Sequence, residues 1–467
     1  MANLSRRQLL KISAAATVSG FATPYLIPAR VLAADGVPGA NERIAVGAIG
    51  VGSRAKLLLE QLPEGAQLVA LCDCNLPKAE KYKAEKYKAD KKGNWPVCQN
   101  YRQLLDRKDI DAVIVATGDF QRVLPCIHAC QAGKDIYAEK PLTLYIREGR
   151  ALVDAVRKHR RVLQVGSQQR SMAMNRIACE LVRTGGLGKV LEVRAMNYPG
   201  PKESPVDLFP EKPVPAGLDW DMWLNQAAWR PYNKNWTSNW MQWRDFCGSE
   251  MCNWGAHGVD QVQWALGMDG TGPVEMWPLT SGPNGQVEMR YANGVPLRFV
   301  LEMGHGPMGG AVFVCEQGKL EINRNKFTSN PKEIAAELLK KVDAAEEEKK
   351  WSDETAKWQA KWHMQHWLDC IATRQLPNAD VEIGHRSISV CHLANITRRL
   401  DRRLQWDPAG ELFVGDDEAN CYVEQPRRLG LFSRRDRRRR QSFVGGEEAN
   451  CQTERARRKG YELPDPV

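Results

Sequence analysis

The stretch that decides the fold is IAVGAIGVGSRA, residues 44–55. The apolar and small residues 44–49 predict a buried strand, and the residues after Ala55 predict a helix. Between strand and helix, Gly50 and Gly52 match the spacing G-x-G-x-x-G/A, with Ala55 in the third position. The first glycine permits a tight turn, the second lets the backbone approach a pyrophosphate, and a small third residue lets helix and strand pack closely. Taken alone, the pattern also fits a plain strand-to-helix turn.

A carboxylate follows the second predicted strand, residues 67–72. This residue, Asp73, lies about 20 residues beyond the glycine-rich turn, where such folds place the acid that binds a ribose hydroxyl. A carboxylate there repels a 2′-phosphate and therefore favours NAD over NADP. Lys78 nearby keeps this preference moderate.

Strands and helices continue to alternate after this point. Strands are predicted over 111–117, 135–138 and 162–165, and helices over 123–132 and 145–158. This order predicts an α/β fold with a doubly wound parallel sheet of the Rossmann type.

The carboxyl edge of that sheet is where open α/β folds hold ligands. We therefore expect the cofactor-binding residues to follow directly after the strands. They are Gly50, Val51, Gly52, Ser53, Arg54, Asp73, Thr117, Glu139 and Lys140.

Five segments, in this order, resemble the Gfo/Idh/MocA family of glucose-fructose oxidoreductases, inositol dehydrogenases and rhizopine catabolism proteins. They extend over residues 42–405 and are more specific as a set than any one of them. The segments are GVG at 50–52, Asp73, AGK at 132–134 leading to EKP at 139–141, VGSQQR at 165–170 and GAH at 255–257. The resemblance implies an NAD(P)-dependent oxidoreductase acting on a sugar, polyol or related carbohydrate.

The resemblance also implies two catalytic side chains. In the family the lysine of the EKP segment lies near nicotinamide and substrate, which points to Lys140, and the following proline, here Pro141, often has a cis peptide. An ammonium stabilises the negative charge that develops on the substrate oxygen during oxidation. His257 is expected to accept the hydroxyl proton, since histidine titrates near working pH.

One position departs from the family pattern. Relatives commonly carry an aspartate four residues before the catalytic histidine, and this chain has Asn253 there. Residues four apart share a helix face. Asparagine can hold a substrate hydroxyl but cannot accept a proton, so the relay rests on His257 alone or recruits Asp260. The segment DFQR at 119–122 also departs from exported relatives, many of which carry histidines there, and no role is assigned to it.

Asn253 leaves two alternatives to net oxidation open. One is an NAD-dependent glycoside hydrolase, in which oxidation at one carbon acidifies its neighbour, elimination expels the glycosidic group and reduction restores the product. The other is a non-catalytic carbohydrate-binding protein that keeps the fold.

Tryptophans crowd the region from residue 220 to residue 264. Aromatic faces suit the C–H faces of a pyranose, and arginines suit its hydroxyls or a carboxylate. The alternative is that most of these indoles fill the core of the second domain or a subunit interface. The predicted substrate-binding residues are Gln168, Arg170, Trp243, Arg244 and Asp260.

Histidines and cysteines do not form a recognised metal site. His363 and His366 are three residues apart but lack a ligand set of known form, so no metal is predicted. The 13 cysteines are odd in number and contain no C-x-x-C. Most are expected to be buried free thiols.

The N-terminal segment SRRQLLK, residues 5–11, precedes an Ala-rich apolar run that ends near Ala33. This pattern predicts a twin-arginine export signal, recognised by the twin-arginine machinery and leading to the periplasm or another exported location. Pro24, Pro28 and the short apolar run favour a cleaved signal over a lasting membrane tether. Because this pathway carries folded proteins, NAD is expected to be tightly bound.

The net charge of +10 arises largely from a C-terminal cluster of arginines between residues 427 and 440. Around this cluster, residues 413–421 recur with small changes as 443–451, so a duplicated tail with a linker is predicted rather than a nucleic-acid-binding surface. The second domain is expected to be α+β with a large, mostly antiparallel open sheet. In relatives that sheet mediates homo-dimer or tetramer contacts. The predicted divisions are a signal at 1–34, a Rossmann domain at 42–166, a substrate and oligomerisation domain at 167–405 and a tail at 406–467.

Overall fold

The computed structural model describes residues 42–90, 94–351 and 360–424. The predicted export signal, the arginine cluster and the second copy of the repeat lie outside these residues. The chain divides into two compact units, Met1–Arg43 and Ile44–Val467, and the following concerns the second unit. In the described parts of the chain, no helix has the length and apolar character needed to cross a bilayer.

The first sheet has six parallel strands. They are β1 (Ile44–Ile49), β2 (Ala66–Cys72), β3 (Val97–Cys98), β4 (Ala112–Val115), β5 (Asp135–Ala138) and β6 (Leu163–Val165). Their spatial order is β3-β2-β1-β4-β5-β6, with the chain crossing over beside β1, as a doubly wound sheet requires. The predicted α/β class is thereby confirmed.

The register of this sheet brings the strand ends level. Ile49 lies opposite Cys72 on one side and Val115 on the other, and Val115 lies opposite Ala138. The residues that follow these four strand ends therefore meet along one edge. This edge is where the candidate site is built.

Helices connect the strands and cover the sheets. They are α1 (Ser53–Glu60), α2 (Leu76–Asp90), α3 (Tyr101–Leu105), α4 (Asp119–Gln131), α5 (Ile146–Lys158), α6 (Ala173–Arg183), α7 (Trp220–Leu224), α8 (Lys234–Ser238), α9 (Ser249–Asn253), α10 (Gly255–Ala265), α11 (Lys332–Leu339), α12 (Ala344–Trp351), α13 (Lys361–Thr373), α14 (Val381–Leu400) and α15 (Asp417–Asn420). Two short 3₁₀ turns occupy Gln168–Ser171 and Trp240–Gln242.

The second sheet has nine strands and is mostly antiparallel. They are β7 (Val190–Met196), β8 (Pro273–Pro278), β9 (Val287–Tyr291), β10 (Pro296–Leu301), β11 (Ala311–Cys315), β12 (Gly318–Asn323), β13 (Lys326–Asn330), β14 (Leu404–Asp407) and β15 (Leu412–Phe413). Their order is β13-β12-β11-β7-β10-β9-β8-β14-β15, and only β7 and β10 pair in parallel. β11 and β12 form a hairpin, with Cys315 opposite Gly318.

The two sheets share helices rather than strands. Helix α14 packs against both α5, which covers the first sheet, and α10, which covers the second.

Most tryptophans of the 220–264 region form an aromatic cluster with Phe120 and Phe246, as the core alternative predicted. The free thiols are mostly buried, also as predicted; the fully buried ones include Cys126, Cys130, Cys179, Cys247, Cys252 and Cys391.

Candidate active site

The glycine-rich turn begins where β1 ends. Gly50 has a φ of +90°, and a Cβ there would lie 2.7 Å from the carbonyl oxygen of Ala116 on the neighbouring strand connection. Its N–H donates to the carbonyl of Cys72 at 2.8 Å. Only glycine tolerates both the positive φ and the lack of room for a Cβ at position 50. Gly52 precedes α1, and the nearest atom to a Cβ at Gly52 is Nζ of Lys78 at 4.0 Å, so the backbone here is open to a ligand.

Asp73 lies at the end of β2 and closes the turn. Its Oδ2 accepts from the N–H of Val51 at 2.9 Å, and its Oδ1 accepts from the N–H of Asn75 at 2.9 Å. Nζ of Lys78 is 3.7 Å from Oδ2. The carboxylate thus orders the glycine-rich turn and remains at the mouth of the cleft beside it.

A cleft of about 630 Å³ runs along this edge of the sheet. Its volume suits a dinucleotide or a similarly sized ligand. On the Rossmann side it is lined by predicted residues, namely Gly50, Gly52, Ser53, Arg54, Asp73 and Thr117. The opposite wall comes from the 215–241 segment of the second domain and includes Leu218, Trp223, Asn225, Tyr232, Thr237 and Trp240.

Three residues predicted to bind the cofactor, Val51, Glu139 and Lys140, do not line this cleft. Val51 is fully buried against Leu71 and Ala79, and its N–H is bonded to Asp73. Glu139 is buried as well: it accepts from Nε of Arg54 at 2.8 Å and from its neighbour's backbone N–H at 3.0 Å. Because they are buried, the side chains of Val51 and Glu139 do not contact a ligand directly. Their packing and hydrogen bonds hold the turn and the strand end in place.

Lys140 meets Asn253 across a sequence separation of 113 residues. Its Nζ donates to Oδ1 of Asn253 at 2.8 Å and to the Asn253 carbonyl at 3.2 Å. The carbonyl is available because helix α9 ends at Asn253 and the N–H of His257 bonds to Trp254 instead, at 3.1 Å. The Lys140–Pro141 peptide is cis, in agreement with the resemblance.

His257 lies one turn into α10 and is 6% exposed. Burial lowers its pKa well below 6.5, and the charges of Arg324 and Lys140 lower it further. The imidazole is therefore neutral at pH 7 and able to accept a proton. Burial likewise lowers the pKa of Lys140, to about 8, so the amine is mostly protonated at pH 7. The cation of Lys140 thus lies near enough to the neutral base His257 to influence its pKa.

The unassigned segment at residues 119–122 supports this arrangement. Arg122 is buried and donates to the carbonyls of Pro141 and Thr117, which ties the start of α4 to the strand end that carries Lys140. Asp119 is also buried, 3.8 Å from Arg122, and burial raises its pKa. Sequence reasoning missed this support because neither residue belongs to a motif.

Two predicted substrate-binding residues form a buried ion pair instead. Nε of Arg170 lies 2.9 Å from both carboxylate oxygens of Asp260, and both side chains are 2% exposed. Arg170 also bonds to Asp269, and Asp260 accepts from Ser387 at 2.8 Å. With these hydrogen bonds made inside the domain, neither residue is available to a substrate, and the recruitment of Asp260 into a proton relay is not supported.

Trp243 and Arg244 also lie outside the cleft. Trp243 packs edge-on against Phe209 and Trp236, and Arg244 pairs with Glu203. Gln168 is buried, and among the described residues its side-chain oxygen has no hydrogen-bond partner, so its role stays a prediction.

His363 and His366 both form hydrogen bonds within the protein. His363 bonds to the carbonyl of Val165 at 2.8 Å and to Ser171 at 2.6 Å, while His366 accepts from the N–H of Asn378 at 3.1 Å. These bonds account for both imidazoles as structural groups.

Two further residues near the site were not predicted. Arg324, in the turn between β12 and β13, donates to Gln169 at 2.9 Å and lies over the ring of Trp254 at 5.3 Å. Glu250, in α9, accepts from Nδ2 of Asn253 at 3.0 Å. No sequence signal marked either one: Arg324 reaches Gln169 from a segment 155 residues away, and Glu250 belongs to no recognised motif.

A glycine turn at the end of β1 and a carboxylate at the end of β2 define a protein with a dinucleotide-binding fold. Two family models match the chain. Residues 44–167 match the oxidoreductase family's NAD-binding Rossmann fold, and residues 202–432 match the same family's C-terminal alpha/beta domain. The chain belongs to the Gfo/Idh/MocA oxidoreductase family.

Individual relatives agree with this assignment over part of their length. The chain is 26% identical over 213 residues to an alpha-N-acetylgalactosaminidase from Shewanella oneidensis, covering 42% of this chain and 46% of the relative. It is 31% identical over 156 residues to an inositol 2-dehydrogenase/D-chiro-inositol 3-dehydrogenase from Lacticaseibacillus casei, covering 32% of this chain and 44% of the relative. The chain thus spans less than half the length of these relatives.

A solved structure supports the fold across most of the chain. The WlbA dehydrogenase from Bordetella pertussis, in complex with NADH and UDP-GlcNAcA, superposes with a TM-score of 0.55 at 16% identity. The superposition covers 78% of this chain and 99% of that one. At this identity the likeness concerns the fold alone.

Proposed function

We propose that the chain is an exported oxidoreductase that moves hydride between a tightly held nicotinamide dinucleotide and a sugar, polyol or related carbohydrate. The observation that carries the proposal is the hydrogen bond between Lys140 and Asn253, with His257 near enough for the charges of Lys140 and of the cleft residue Arg54 to lower its pKa. A dinucleotide cleft alone would fit many enzymes. A cation beside a neutral base is what oxidation of an alcohol requires.

The chain's own residues fit the cofactor. Gly50 and Gly52 leave the backbone bare where a pyrophosphate would approach the start of α1. Asp73 would bind the adenosine ribose, and its charge would favour NAD over NADP. Lys78, 3.7 Å from that carboxylate, keeps the preference moderate. When bound, the nicotinamide accepts or returns the hydride.

Lys140 and His257 have different roles at the reacting hydroxyl. The ammonium of Lys140 stabilises the negative charge that grows on the substrate oxygen. His257, neutral at pH 7, accepts the proton. Asn253 holds the amine in place through its side-chain and backbone oxygens. Tyr232, Trp223 and Trp240 form part of the opposite wall of the cleft.

A second candidate function is redox-neutral glycoside hydrolysis. The relatives named as family 109 glycosyl hydrolases, 26% identical over 211 residues for one from a Shewanella species, favour it. In that route oxidation at one sugar carbon acidifies the neighbouring C–H, the glycosidic group leaves by elimination, and hydride return with addition of water completes the product. The same lysine and histidine serve both routes, so the substrate's fate separates them.

Export and assembly belong to the same proposal. The twin-arginine pattern at residues 5–11 supports export to the periplasm or beyond the membrane, and a cofactor carried through export must be bound tightly. The nine-stranded sheet offers a broad surface for a homo-dimer or tetramer. Carbohydrate is the expected small-molecule partner, and nucleic acid is not expected.

One experiment tests the proposed activity. The folded protein is denatured and any released dinucleotide is identified by mass spectrometry, and the intact protein is then offered sugars and glycosides without added cofactor. Released NAD with oxidation of one sugar and reduction of another supports the oxidoreductase. Glycoside cleavage without net redox change supports the hydrolase.

A matched variant keeps this experiment interpretable. Lys140→Met keeps the apolar stem and removes the ammonium, so it is expected to retain the dinucleotide and lose turnover. A wild-type protein that carries no dinucleotide, and that binds neither NAD nor NADP when they are added, would overturn the proposal in favour of a non-catalytic carbohydrate-binding protein.

A further inference from the structure

Asn253 occupies the position at which the family pattern has an aspartate, and its side chain is hydrogen-bonded to a carboxylate, that of Glu250. Oε2 of Glu250 accepts from Nδ2 of Asn253 at 3.0 Å, while Oδ1 of Asn253 accepts from Nζ of Lys140 at 2.8 Å. An ammonium can only donate and a carboxylate can only accept, so this is the one orientation of the amide that satisfies both neighbours. Lys140, Asn253 and Glu250 are thus joined by two successive hydrogen bonds, with the cation at one end and the anion at the other.

The backbone makes this line possible. Glu250 and Asn253 are three residues apart in α9, which places them on one helix face. The helix ends at Asn253, and its carbonyl accepts from Lys140 at 3.2 Å. The lysine therefore meets both oxygens of Asn253, while the nitrogen of the same amide is directed to Glu250.

Other charged or titratable groups also surround Lys140. They are Glu139, Asp119, Arg54, Arg324 and His257.

Among these groups the carboxylates Glu139 and Asp119 favour the ammonium form of Lys140 through their charge, without a hydrogen bond to its Nζ. Glu139 is bonded to Arg54 at 2.8 Å, and Asp119 lies 3.8 Å from Arg122. The cations Arg54 and Arg324 disfavour the ammonium form, and His257 is neutral. Glu250 is the carboxylate that reaches the lysine through hydrogen bonds.

We propose that Glu250 is a positioning residue that acts through Asn253 to hold Lys140 protonated and directed at the reacting oxygen. The chain thereby keeps a carboxylate in the lysine's network although an amide occupies position 253. The role in catalysis rests on the proposed function, whereas the effect on Lys140 itself does not.

The protonation of Lys140 can be measured without any substrate. The full-length folded protein is labelled briefly with acetic anhydride at a series of pH values, and acetylation of Lys140 is followed by peptide mass spectrometry. Only the neutral amine reacts, so the midpoint of labelling reports its pKa. In the wild type we expect the midpoint near pH 8.

Three variants are expected to differ in the pH midpoint of Lys140 labelling. Glu250→Gln keeps an acceptor for the Asn253 amide but removes the charge, and should lower the midpoint by about 0.5–1 pH unit. Combining Glu250→Gln with Asn253→Asp moves the carboxylate into direct contact with the lysine, and should return the midpoint to the wild-type value or above. Glu203→Gln removes an equal charge from an exposed carboxylate, 62% exposed, that pairs with Arg399, and should leave the midpoint unchanged.

The outcomes separate the two proposals. A Glu250→Gln midpoint equal to the wild type, or an equal shift in Glu203→Gln, overturns the role of Glu250 whether or not the protein turns over a sugar. If a substrate is turned over, the alkaline limb of kcat/KM should move with the labelling midpoint in each variant. A structural defect alone would lower the rate without moving that limb, and the double variant would not restore it.

Discussion

Replacing Gly50 by alanine tests whether the turn after β1 is built for a ligand. The native φ of +90° costs an L-residue about 1–2 kcal/mol. In addition, the new Cβ would lie 2.7 Å from the carbonyl oxygen of Ala116, a backbone atom held by the sheet. Overpacking of this kind typically costs about 1–3 kcal/mol. Together these terms predict a loss of about 2–5 kcal/mol, or a displaced turn.

Gly133 provides a matched control. Its φ of +75° imposes similar backbone strain, but a Cβ there has no atom within 4 Å. Gly133→Ala is therefore expected to lose only about 1–2 kcal/mol and to bind the dinucleotide as the wild type does. The difference between the two variants isolates the collision at Ala116.

Urea unfolding and titration with NAD measure the two effects. Gly50→Ala should be less stable than Gly133→Ala and should bind NAD at least about tenfold more weakly, which corresponds to about 1.4 kcal/mol. Wild-type NAD affinity in a folded Gly50→Ala protein would refute the assignment of this turn to the pyrophosphate.

Three other predictions concern the lysine, the ribose side and the buried ion pair. Because the pKa of Lys140 is lowered from 10.5 to about 8, the ammonium is present below pH 8 and lost above it, and kcat/KM should fall about tenfold per pH unit on the alkaline side; a flat profile to pH 10 would contradict this. Asp73→Ser should weaken NAD binding about tenfold and narrow its advantage over NADP in fluorescence titrations, whereas equal losses for both would argue against ribose recognition. Asp260→Asn should lower the free energy of unfolding by about 3 kcal/mol in urea with KM unchanged, because it leaves the buried Arg170 short of a partner; a raised KM at unchanged stability would return Asp260 to the substrate site.

The Rossmann half of the fold could be predicted closely from the sequence. Strands β1 and β5 begin and end where the apolar runs predicted, and α5 differs by one residue from the predicted helix. These elements depend on hydrogen bonds within a helix or between neighbouring strands of one sheet, and on hydrophobic patterns that are visible locally. The glycine turn was predictable for the same reason.

Errors concentrated in the second domain. Arg170, from the VGSQQR segment, and Asp260 were predicted to bind substrate, yet they neutralise each other inside the core. Trp243 was expected to line the cleft, while Trp223 and Trp240 do so. Composition indicates that aromatic residues are abundant in this region, but only packing decides which of their faces remain open.

The sequence by itself determined the dinucleotide-binding fold and the residues of its turn, because local patterns mark them, and it indicated the lysine and histidine of the candidate site through the family resemblance. Only the tertiary structure decided that Asn253 joins Lys140 to Glu250, and that Arg324 approaches from a turn 155 residues beyond its partner Gln169. Such contacts depend on where separate segments meet once both sheets have formed. Their geometry is set by packing over the whole domain, which no short stretch of sequence encodes.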